Sequence, residues 1–343
     1  MRRREFFGVL AGSGLIVPAR NLLGDSILVS SNPRISEFDL QSLEGRYTPA
    51  TDFYVRNHYA IPPASAASTL SISGEVEKPV TISSKDLAQL KIQQLGAVLE
   101  CSGDGTGPQA LASNGLWEGW PLQDVLALAR PTAKARFLLL TGADGFRRSV
   151  PVEQASRGAM LVTKLNRQPL PPEHGAPWRA LFPGLYGMQS VKWLKQIDLA
   201  AAPLSLETDE YAAVIKGPAG ATQRQSLPTV LVKSVITYPV LGQVLHPGTV
   251  TLRGLAWSGG GKIAAVEITT DGGKSWRVAN LNPGSRYEWA IWHYTVGIRG
   301  TGVAEFAVRA VDDKGSEQPA TRDPDRLDPY TNNSIERIQF LVQ

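Results

Sequence analysis

The chain has very little of the chemistry on which many metal and redox proteins depend. Among its 343 residues there are one cysteine, Cys101, and four histidines. A single cysteine excludes an internal disulfide, a CxxCH haem site and a four-cysteine iron–sulfur cluster within this chain. The sequence has no HExxH motif and no histidine pair at metal-binding spacing, which argues against a zinc or non-haem iron enzyme. Cys101 is therefore either a core residue or one ligand of a larger centre.

Charged residues are also scarce, at 19% of the chain against 43% hydrophobic residues. No run of Lys and Arg follows residues 1–4, so a nucleic-acid-binding surface has no support despite a formal net charge of +4. The 33 glycines and 24 prolines favour turns and short strands over long helices. The length suits two domains, each with its own core, and the composition argues against a disordered chain, a coiled coil or a multi-span membrane protein.

The first 19 residues have the pattern of an export signal. Three arginines precede an apolar, glycine-interrupted stretch over residues 6–17, and small residues around Ala19 suit cleavage. The pair Arg3-Arg4, closely followed by two phenylalanines, resembles a twin-arginine signal, which exports folded proteins from the bacterial cytoplasm. The apolar stretch is too short for a stable membrane span. We therefore expect a periplasmic protein that acquires any cofactor before export; an ordinary Sec signal or an uncleaved anchor is the alternative.

Strand and turn patterns divide the rest of the chain into a mixed region and a strand-rich region. The mixed region, residues 20–205, has alternating strand patterns, as over 69–76, and short amphipathic helices, as over 121–129. Residues 206–235 are predicted to be a connector. Strands follow one another at sandwich spacing over 236–343. We predict an α+β domain, a connector and an all-β immunoglobulin-like sandwich.

Four stretches of the first region carry residues suited to a phosphorylated, metal-bearing cofactor. They are residues 54–58, the glycine-rich loop around Cys101, residues 173–179 and residues 187–193. A soft thiolate suits a transition metal, and arginine with lysine suits phosphate or another oxyanion. Each stretch alone is weak evidence, because a lone cysteine is more often a buried structural residue and an Arg-Asn-His triplet is usually a solvated turn. Their combination in this order is far more specific.

The combination resembles the sulfite oxidase family of molybdopterin enzymes, over nearly all of the chain after the signal. The matching motifs are an FxVRNH-like stretch at 53–58, the Cys loop LECSG at 99–103, HGAPWR at 174–179 and SVKWL at 190–194. The resemblance implies the sulfite oxidase fold for the first domain and molybdenum-molybdopterin as the cofactor. It also implies a second domain that forms homodimers.

The resemblance further implies roles for individual residues. Cys101 would ligate molybdenum, and Arg56 would also bind a substrate oxyanion beside the metal. Tyr211 falls where the family places a tyrosine near the metal, and Arg326, in preference to Arg322, would be the late arginine that enters the pocket from the second domain. The pterin and its phosphate would be held by Tyr54, Val55, Arg56, Asn57, His58, Asp144, His174, Arg179, Ser190, Val191 and Lys192.

Two features depart from the family's pattern. Relatives often carry Asn and then Arg just after the Cys loop, where this chain has the sequence SGDGT at 102–106. An oxyanion-binding arginine is therefore missing there, and Asp104 adds a negative charge. The late arginine has no unambiguous counterpart within residues 322–333. Both departures bear on sulfite specificity more than on the cofactor.

The leading hypothesis is a periplasmic sulfite dehydrogenase that oxidises sulfite to sulfate. Because the chain has no haem motif, we expect a separate cytochrome c as the electron acceptor. One alternative keeps the cofactor and reduces a sulfoxide such as oxidised methionine, although such relatives typically lack the second domain. An alternative of a different class is a non-enzymatic binding module.

Overall fold

The computed structural model describes residues 26–217 and 220–343, so the export signal predicted over 1–19 lies outside the described residues. The described chain is mostly β-structure, with two short α-helices, α1 (Ser84–Leu87) and α2 (Leu122–Ala127). No described helix has the length and apolar character that crossing a bilayer requires. The α+β prediction for the first domain is confirmed only in part, because helices contribute so little of it.

The first region contains many short strands, arranged in three sheets. In chain order they are β1 (Ser26–Ser31), β2 (Arg34–Asp39), β3 (Val55–Arg56), β4 (Leu70–Gly74), β5 (Val80–Ile82), β6 (Gln93–Glu100), β7 (Gln109–Ala110), β8 (Ala112–Pro121), β9 (Phe137–Gly142), β10 (Arg147–Pro151), β11 (Met160–Leu165), β12 (Gln168–Pro169), β13 (Arg179–Leu181) and β14 (Leu194–Ala200). The sheets run β1-β2-β3 with β7 on β2, β10-β9-β14-β4-β5, and β12-β11-β8-β6 with β13 on β11.

The strand β6 lies between two apolar cores and ends at the Cys101 loop. It pairs antiparallel with β8, from Gln93 opposite Gly119 to Glu100 opposite Ala112. Side chains alternate between the faces of a strand, so Val98 packs into one core and Leu99 into another. Burial on both faces explains the continuous apolar run and fixes the position of the loop that follows.

The second sheet shares an apolar core with α2. The strand β14 pairs parallel with β4 and antiparallel with β9, so that Ile197 lies opposite both Ile72 and Leu140. In α2 the side chains of Leu122 and Val125, together with that of Leu126, are buried at helical spacing against this core. The pairing and packing of β14 therefore fix the position of the segment that leads into it, residues 190–193.

The C-terminal region is a sandwich of two four-stranded sheets around one apolar core. The connector expected over 206–235 contains a hairpin of β15 (Ala213–Lys216) and β16 (Thr222–Gln225), and it ends inside β17. The sandwich strands are β17 (Lys233–Tyr238), β18 (Gly248–Trp257), β19 (Ile263–Thr269), β20 (Arg277–Val278), β21 (Asn280–Asn282), β22 (Ala290–Ile298), β23 (Gly302–Asp312) and β24 (Arg337–Val342). Their sheets run β17-β18-β22-β21 and β20-β19-β23-β24.

The two regions share an apolar core. Trp257 and Trp289 of the sandwich region pack in one cluster with Phe38 and Val98 of the first domain. The backbone N–H of Thr331 also donates to the carbonyl of Ser102 at 2.7 Å. One edge of the sandwich therefore lies directly behind the Cys101 loop.

Candidate active site

A cleft opens beside the Cys101 loop, and the Cys101 side chain lines it. It is formed where the end of β3, the loop after β6, the turn after β9 and the segment before β14 meet. The predicted site residues that line it are Tyr54, Arg56, Asn57, His58, Cys101, Asp144, Arg179, Ser190, Val191, Lys192 and Tyr211. Residues that are far apart in sequence are thus brought together in one cleft.

The Cys101 thiol lies in the wall of the cleft on a loop with a fixed backbone. Its N–H donates to the carbonyl of Leu111 at 2.8 Å, and its own carbonyl accepts from Asp104 at 3.0 Å. Burial raises the pKa of the thiol above its usual range, while a backbone hydrogen bond from Gly103 and the charge of Arg56 lower it. The free thiol is therefore protonated at neutral pH, and a bound metal cation would favour the thiolate that acts as a ligand.

Two further cations line the cleft, the buried Arg179 and the half-buried Lys192. The Arg179 guanidinium donates to the carbonyl of Ser190 at 2.6 Å and to that of His174 at 3.3 Å. The Lys192 ammonium donates to Asn57 Oδ1 at 2.6 Å and to a backbone carbonyl at 2.7 Å. Burial lowers the pKa of Arg179 to about 10. Burial, followed by the charge of Arg179, lowers the pKa of Lys192 well below its usual range.

The cations of the cleft have neutral partners. Within residues 26–217 and 220–343, no carboxylate lies within ion-pair distance of Arg56, Arg179 or Lys192. Among the described residues, the guanidinium of Arg56 donates only to the carbonyl of the next residue, at 2.5 Å. A buried cation without an anion is costly, so this arrangement favours an anionic ligand such as a phosphate.

An aromatic group forms the outer wall. The Tyr211 hydroxyl lies 3.5 Å from His58 Nδ1, and the Tyr211 ring stacks on Tyr330 with centroids 5.6 Å apart. His58 Nε2 lies 3.4 Å from a carboxylate oxygen of Glu210. Burial raises the pKa of Tyr211 to about 12, and nearby Cys101 adds to the shift. The phenol therefore stays protonated and can donate a hydrogen bond.

Other predicted residues shape the backbone of the walls. The Ser190 hydroxyl accepts from the N–H of Phe182 at 3.0 Å, and the Val191 carbonyl accepts from Ala180 at 2.9 Å. Asp144 accepts from the N–H of Phe146 at 3.1 Å, and burial raises its pKa. These bonds fix the backbone of residues 190–191, directly before Lys192, and of the turn at residues 144–146.

Three predicted site residues do not line the cleft, namely Val55, His174 and Arg326. Val55 is a buried residue of β3. His174 is buried with Nε2 at 3.3 Å from a carbonyl, and burial lowers its pKa well below the usual range, so the ring is neutral. Its backbone carbonyl supports Arg179, as described above. The structure thus assigns His174 a supporting position.

The late arginines are held outside the cleft. Arg326 makes a two-point ion pair with Asp328, at 3.0 and 2.8 Å, and Arg322 donates to the carbonyl of the same aspartate. The expectation that Arg326 enters the pocket is therefore not met by this geometry. Asp104, whose charge was expected to oppose oxyanion binding, also does not line the cleft.

A buried ionic cluster behind the Cys101 loop was missed by the sequence analysis. Lys233, in β17, forms ion pairs with Glu100 and Asp104. Lys233 lies near the end of the predicted connector and outside the four stretches that carry the predicted cofactor residues. In the sequence, Lys233 is marked only as a lone lysine directly before the strand pattern SVITY at residues 234–238.

The site residues fit a phosphorylated, metal-bearing cofactor. Among the described residues no group of three or more His, Cys, Asp or Glu could hold a metal ion alone, so a metal beside Cys101 would need ligands from another molecule. The buried Asn57 Nδ2 in the cleft wall has no hydrogen-bond partner. A Cβ on Gly187 would lie 2.5 Å from the Tyr54 hydroxyl, so only glycine permits this close approach.

Comparisons with known proteins agree with this geometry. A family described as oxidoreductase molybdopterin binding domain matches residues 58–206, and one described as Mo-co oxidoreductase dimerisation domain matches residues 224–339. Sulfite oxidase from Gallus gallus is 28% identical over 335 residues, which cover 84% of this chain and 72% of that protein. This chain belongs to the sulfite oxidase family of molybdopterin oxidoreductases. The family's cofactor, molybdenum-molybdopterin, is therefore confirmed for this member.

Other relatives of this sulfite oxidase family member differ in reaction and in length. An NADPH nitrate reductase from Aspergillus niger is 32% identical over 282 residues, covering 70% of this chain but only 32% of the reductase. The chain thus spans about a third of that relative. The crystal structure of the sulfane dehydrogenase SoxCD from Paracoccus pantotrophus matches with a TM-score of 0.84 and 28% identity, over 93% of this chain and 90% of that one.

Proposed function

We propose that this chain oxidises sulfite to sulfate and passes the two electrons, one at a time, to a separate cytochrome c. The observation that carries the proposal is Arg56, which lies in the same cleft as Cys101 and Tyr211 and has no carboxylate partner in the part of the chain that the structure describes. A sulfite dianion needs such a cation beside the redox centre. The reaction consumes water and releases two protons and two electrons.

The residues of the cleft have distinct tasks in this proposal. Arg179 and Lys192 would hold the cofactor phosphate, and Cys101 would ligate the molybdenum. When bound, the cofactor supplies the two-electron redox centre and the oxygen-atom exchange. Arg56 binds and orients the oxyanion, and the protonated Tyr211 donates a hydrogen bond at the same place.

A second candidate substrate is sulfane sulfur. Arg322 and Arg326 are both held by Asp328 outside the cleft, and the stacked rings of Tyr211 and Tyr330 offer apolar surface to a chain of sulfur atoms. The structural relative SoxCD is a sulfane dehydrogenase by name. Sulfoxide reduction has no comparable support. The match of residues 224–339 to a dimerisation domain favours a homodimer formed through the second domain.

The test is a substrate panel on cofactor-loaded protein. Sulfite, thiosulfate as a sulfane donor, and methionine sulfoxide or nitrate with a reduced dye would be compared. We expect sulfite to reduce cytochrome c and ferricyanide, and Arg56→Ala to lower kcat/KM by about tenfold or more. Absence of reduction of both acceptors by sulfite would overturn the proposal. Turnover with thiosulfate alone would select the second candidate.

Location is tested separately. We propose that the chain reaches the periplasm by the twin-arginine route, which the Arg3-Arg4 pair supports. Changing both arginines to lysine should leave the protein in the cytoplasm with its cofactor content unchanged. Equal periplasmic amounts of both forms would contradict this route.

A further inference from the structure

A lysine of the sandwich reaches across the domain boundary to the back of the Cys101 loop. Lys233 is 1% exposed. Its ammonium lies 3.2 Å from Glu100 Oε1 and 2.5 Å from Asp104 Oδ2, and it also donates to the carbonyl of Gly105. An ammonium has three N–H donors, and here each has an oxygen acceptor from the loop or its preceding strand.

The two carboxylates are held by further bonds. Glu100 Oε2 accepts from the indole N–H of Trp257 at 2.7 Å. Asp104 Oδ1 accepts from the backbone N–H of Leu111 at 2.6 Å. Each carboxylate oxygen therefore has a donor, and a fully bonded buried network of this kind has one arrangement.

The acidic residues bracket the cysteine in sequence but lie on its opposite side. Glu100 directly precedes Cys101, and Asp104 follows it by three residues. Neither carboxylate lines the cleft, whereas the cysteine does. The loop is thus clamped from behind at both ends while its thiol faces forward.

We propose that Lys233 is a positioning residue for Cys101, and that through it the sandwich holds the loop carrying the metal ligand. The proposal rests on the proposed role of Cys101 as the molybdenum ligand. Removal of the ammonium would leave two buried carboxylates without a cation, so the loop would open more often. The direction of the thiol toward the cofactor would then no longer be fixed.

The test uses three full-length variants. Lys233→Met removes the clamp, and Asp104→Asn weakens it while keeping an oxygen for the Leu111 N–H. Arg309→Met is the matched control, because it breaks an ion pair with Glu267, at 2.7 Å, elsewhere in the sandwich. Cofactor-free and cofactor-loaded forms of each would be prepared.

The first measurement is the alkylation rate of Cys101 by iodoacetamide in the cofactor-free chain, where it is the only thiol in the sequence. We expect Lys233→Met to react about tenfold faster than the parent, Asp104→Asn to be intermediate, and Arg309→Met to be within about twofold of the parent. The second measurement is the thiolate-to-molybdenum absorption band of the loaded protein, which should shift in Lys233→Met and not in Arg309→Met.

Equal alkylation rates in Lys233→Met and Arg309→Met, or an unshifted band in Lys233→Met, would overturn the proposal. If Lys233→Met does not fold, Asp104→Asn against Arg309→Met makes the same comparison, and equal rates again overturn it. Alkylation requires neither metal nor turnover. A parent without sulfite activity that shows the expected order of rates would contradict the proposed substrate and support the positioning role.

Discussion

Cations that are buried or half-buried lie on both sides of the Cys101 loop, and the two sides differ in their partners. In the cleft, Arg179 and Lys192 bond to neutral oxygens. Behind the loop, Lys233 bonds to two carboxylates. A buried charge without a partner is costly. The rear cluster, formed by Lys233, Glu100 and Asp104, therefore needs no further ligand, whereas the cations of the cleft favour the binding of an anion.

The strongest test of this difference is to remove the cations of the cleft. Arg179→Met and Lys192→Met should each lower the molybdenum-molybdopterin content of purified protein by about tenfold or more, because the phosphate would lose a charge-assisted bond. Metal and pterin content would be measured against the Arg309→Met control. Full cofactor occupancy in both variants would show that these cations do not face the phosphate.

The depressed pKa of Lys192 gives the same claim a pH dependence. An anion bound beside Lys192 favours its charged form and raises its pKa, so binding takes up a proton. Cofactor affinity should therefore fall as the pH rises through the pKa of the empty site, and Lys192→Met should weaken this dependence. Titration of the cofactor-free parent and of Lys192→Met with inorganic sulfate, whose charge is constant over this range, at several pH values measures it, and parent binding that strengthens with pH would contradict it.

A comparison of two arginines tests which cations face substrate. Arg56→Ala should lower kcat/KM for sulfite by about tenfold or more, whereas Arg326→Ala should change it by less than about threefold, because Asp328 already neutralises Arg326. Steady-state kinetics on protein of equal metal content makes the comparison. A larger loss in Arg326→Ala would place that side chain in the working cleft.

Tyr211 offers a test within the cleft that leaves cofactor binding intact. Tyr211→Phe should lower kcat by about tenfold with unchanged molybdenum content, because only the hydroxyl is lost and the stacking on Tyr330 remains. Since the pKa of Tyr211 is about 12, the parent's pH profile should show no ionisation of this phenol below about pH 11. A profile whose basic limb disappears in the phenylalanine variant would contradict this assignment.

The smallest effect concerns a carboxyl near the rear cluster. Burial raises the pKa of Glu336 from 4.5 to about 7, and one of its oxygens has no hydrogen-bond partner. The native state therefore binds more protons than the unfolded state between these values, so stability falls as the pH rises through this window. Glu336→Gln should be more stable than the parent at pH 8 by about 1 to 3 kcal/mol and equal to it at pH 4. Urea unfolding at both pH values checks this, and an equal difference at both would contradict it.

Most of the residues named from sequence motifs lie together in one cleft. Short motifs occur at residues 54–58, 174–179 and 190–194. Their order along the chain matched that of a known family and so indicated one shared ligand. The β-rich character of the C-terminal region followed from alternating strands. The helices of the first domain were overestimated, because short apolar runs such as that of α2 suit longer helices as well as the one turn or two observed.

The rear cluster and the late arginines could not be predicted in the same way. Lys233 acts through contacts with residues more than a hundred positions away in sequence, and no local pattern encodes such a pairing. Arg326 was predicted to enter the pocket, but Asp328, two residues later, forms an ion pair with it. A charge in a sequence shows its sign and not its partner.

The most direct test of the account is molybdenum quantification in the parent and in Cys101→Ser. The account predicts about one molybdenum per chain in the parent and loss of most of it in the variant, with pterin retained in part by Arg179 and Lys192. Equal molybdenum in the two proteins would contradict the role of Cys101, and a parent without molybdenum would contradict the account as a whole.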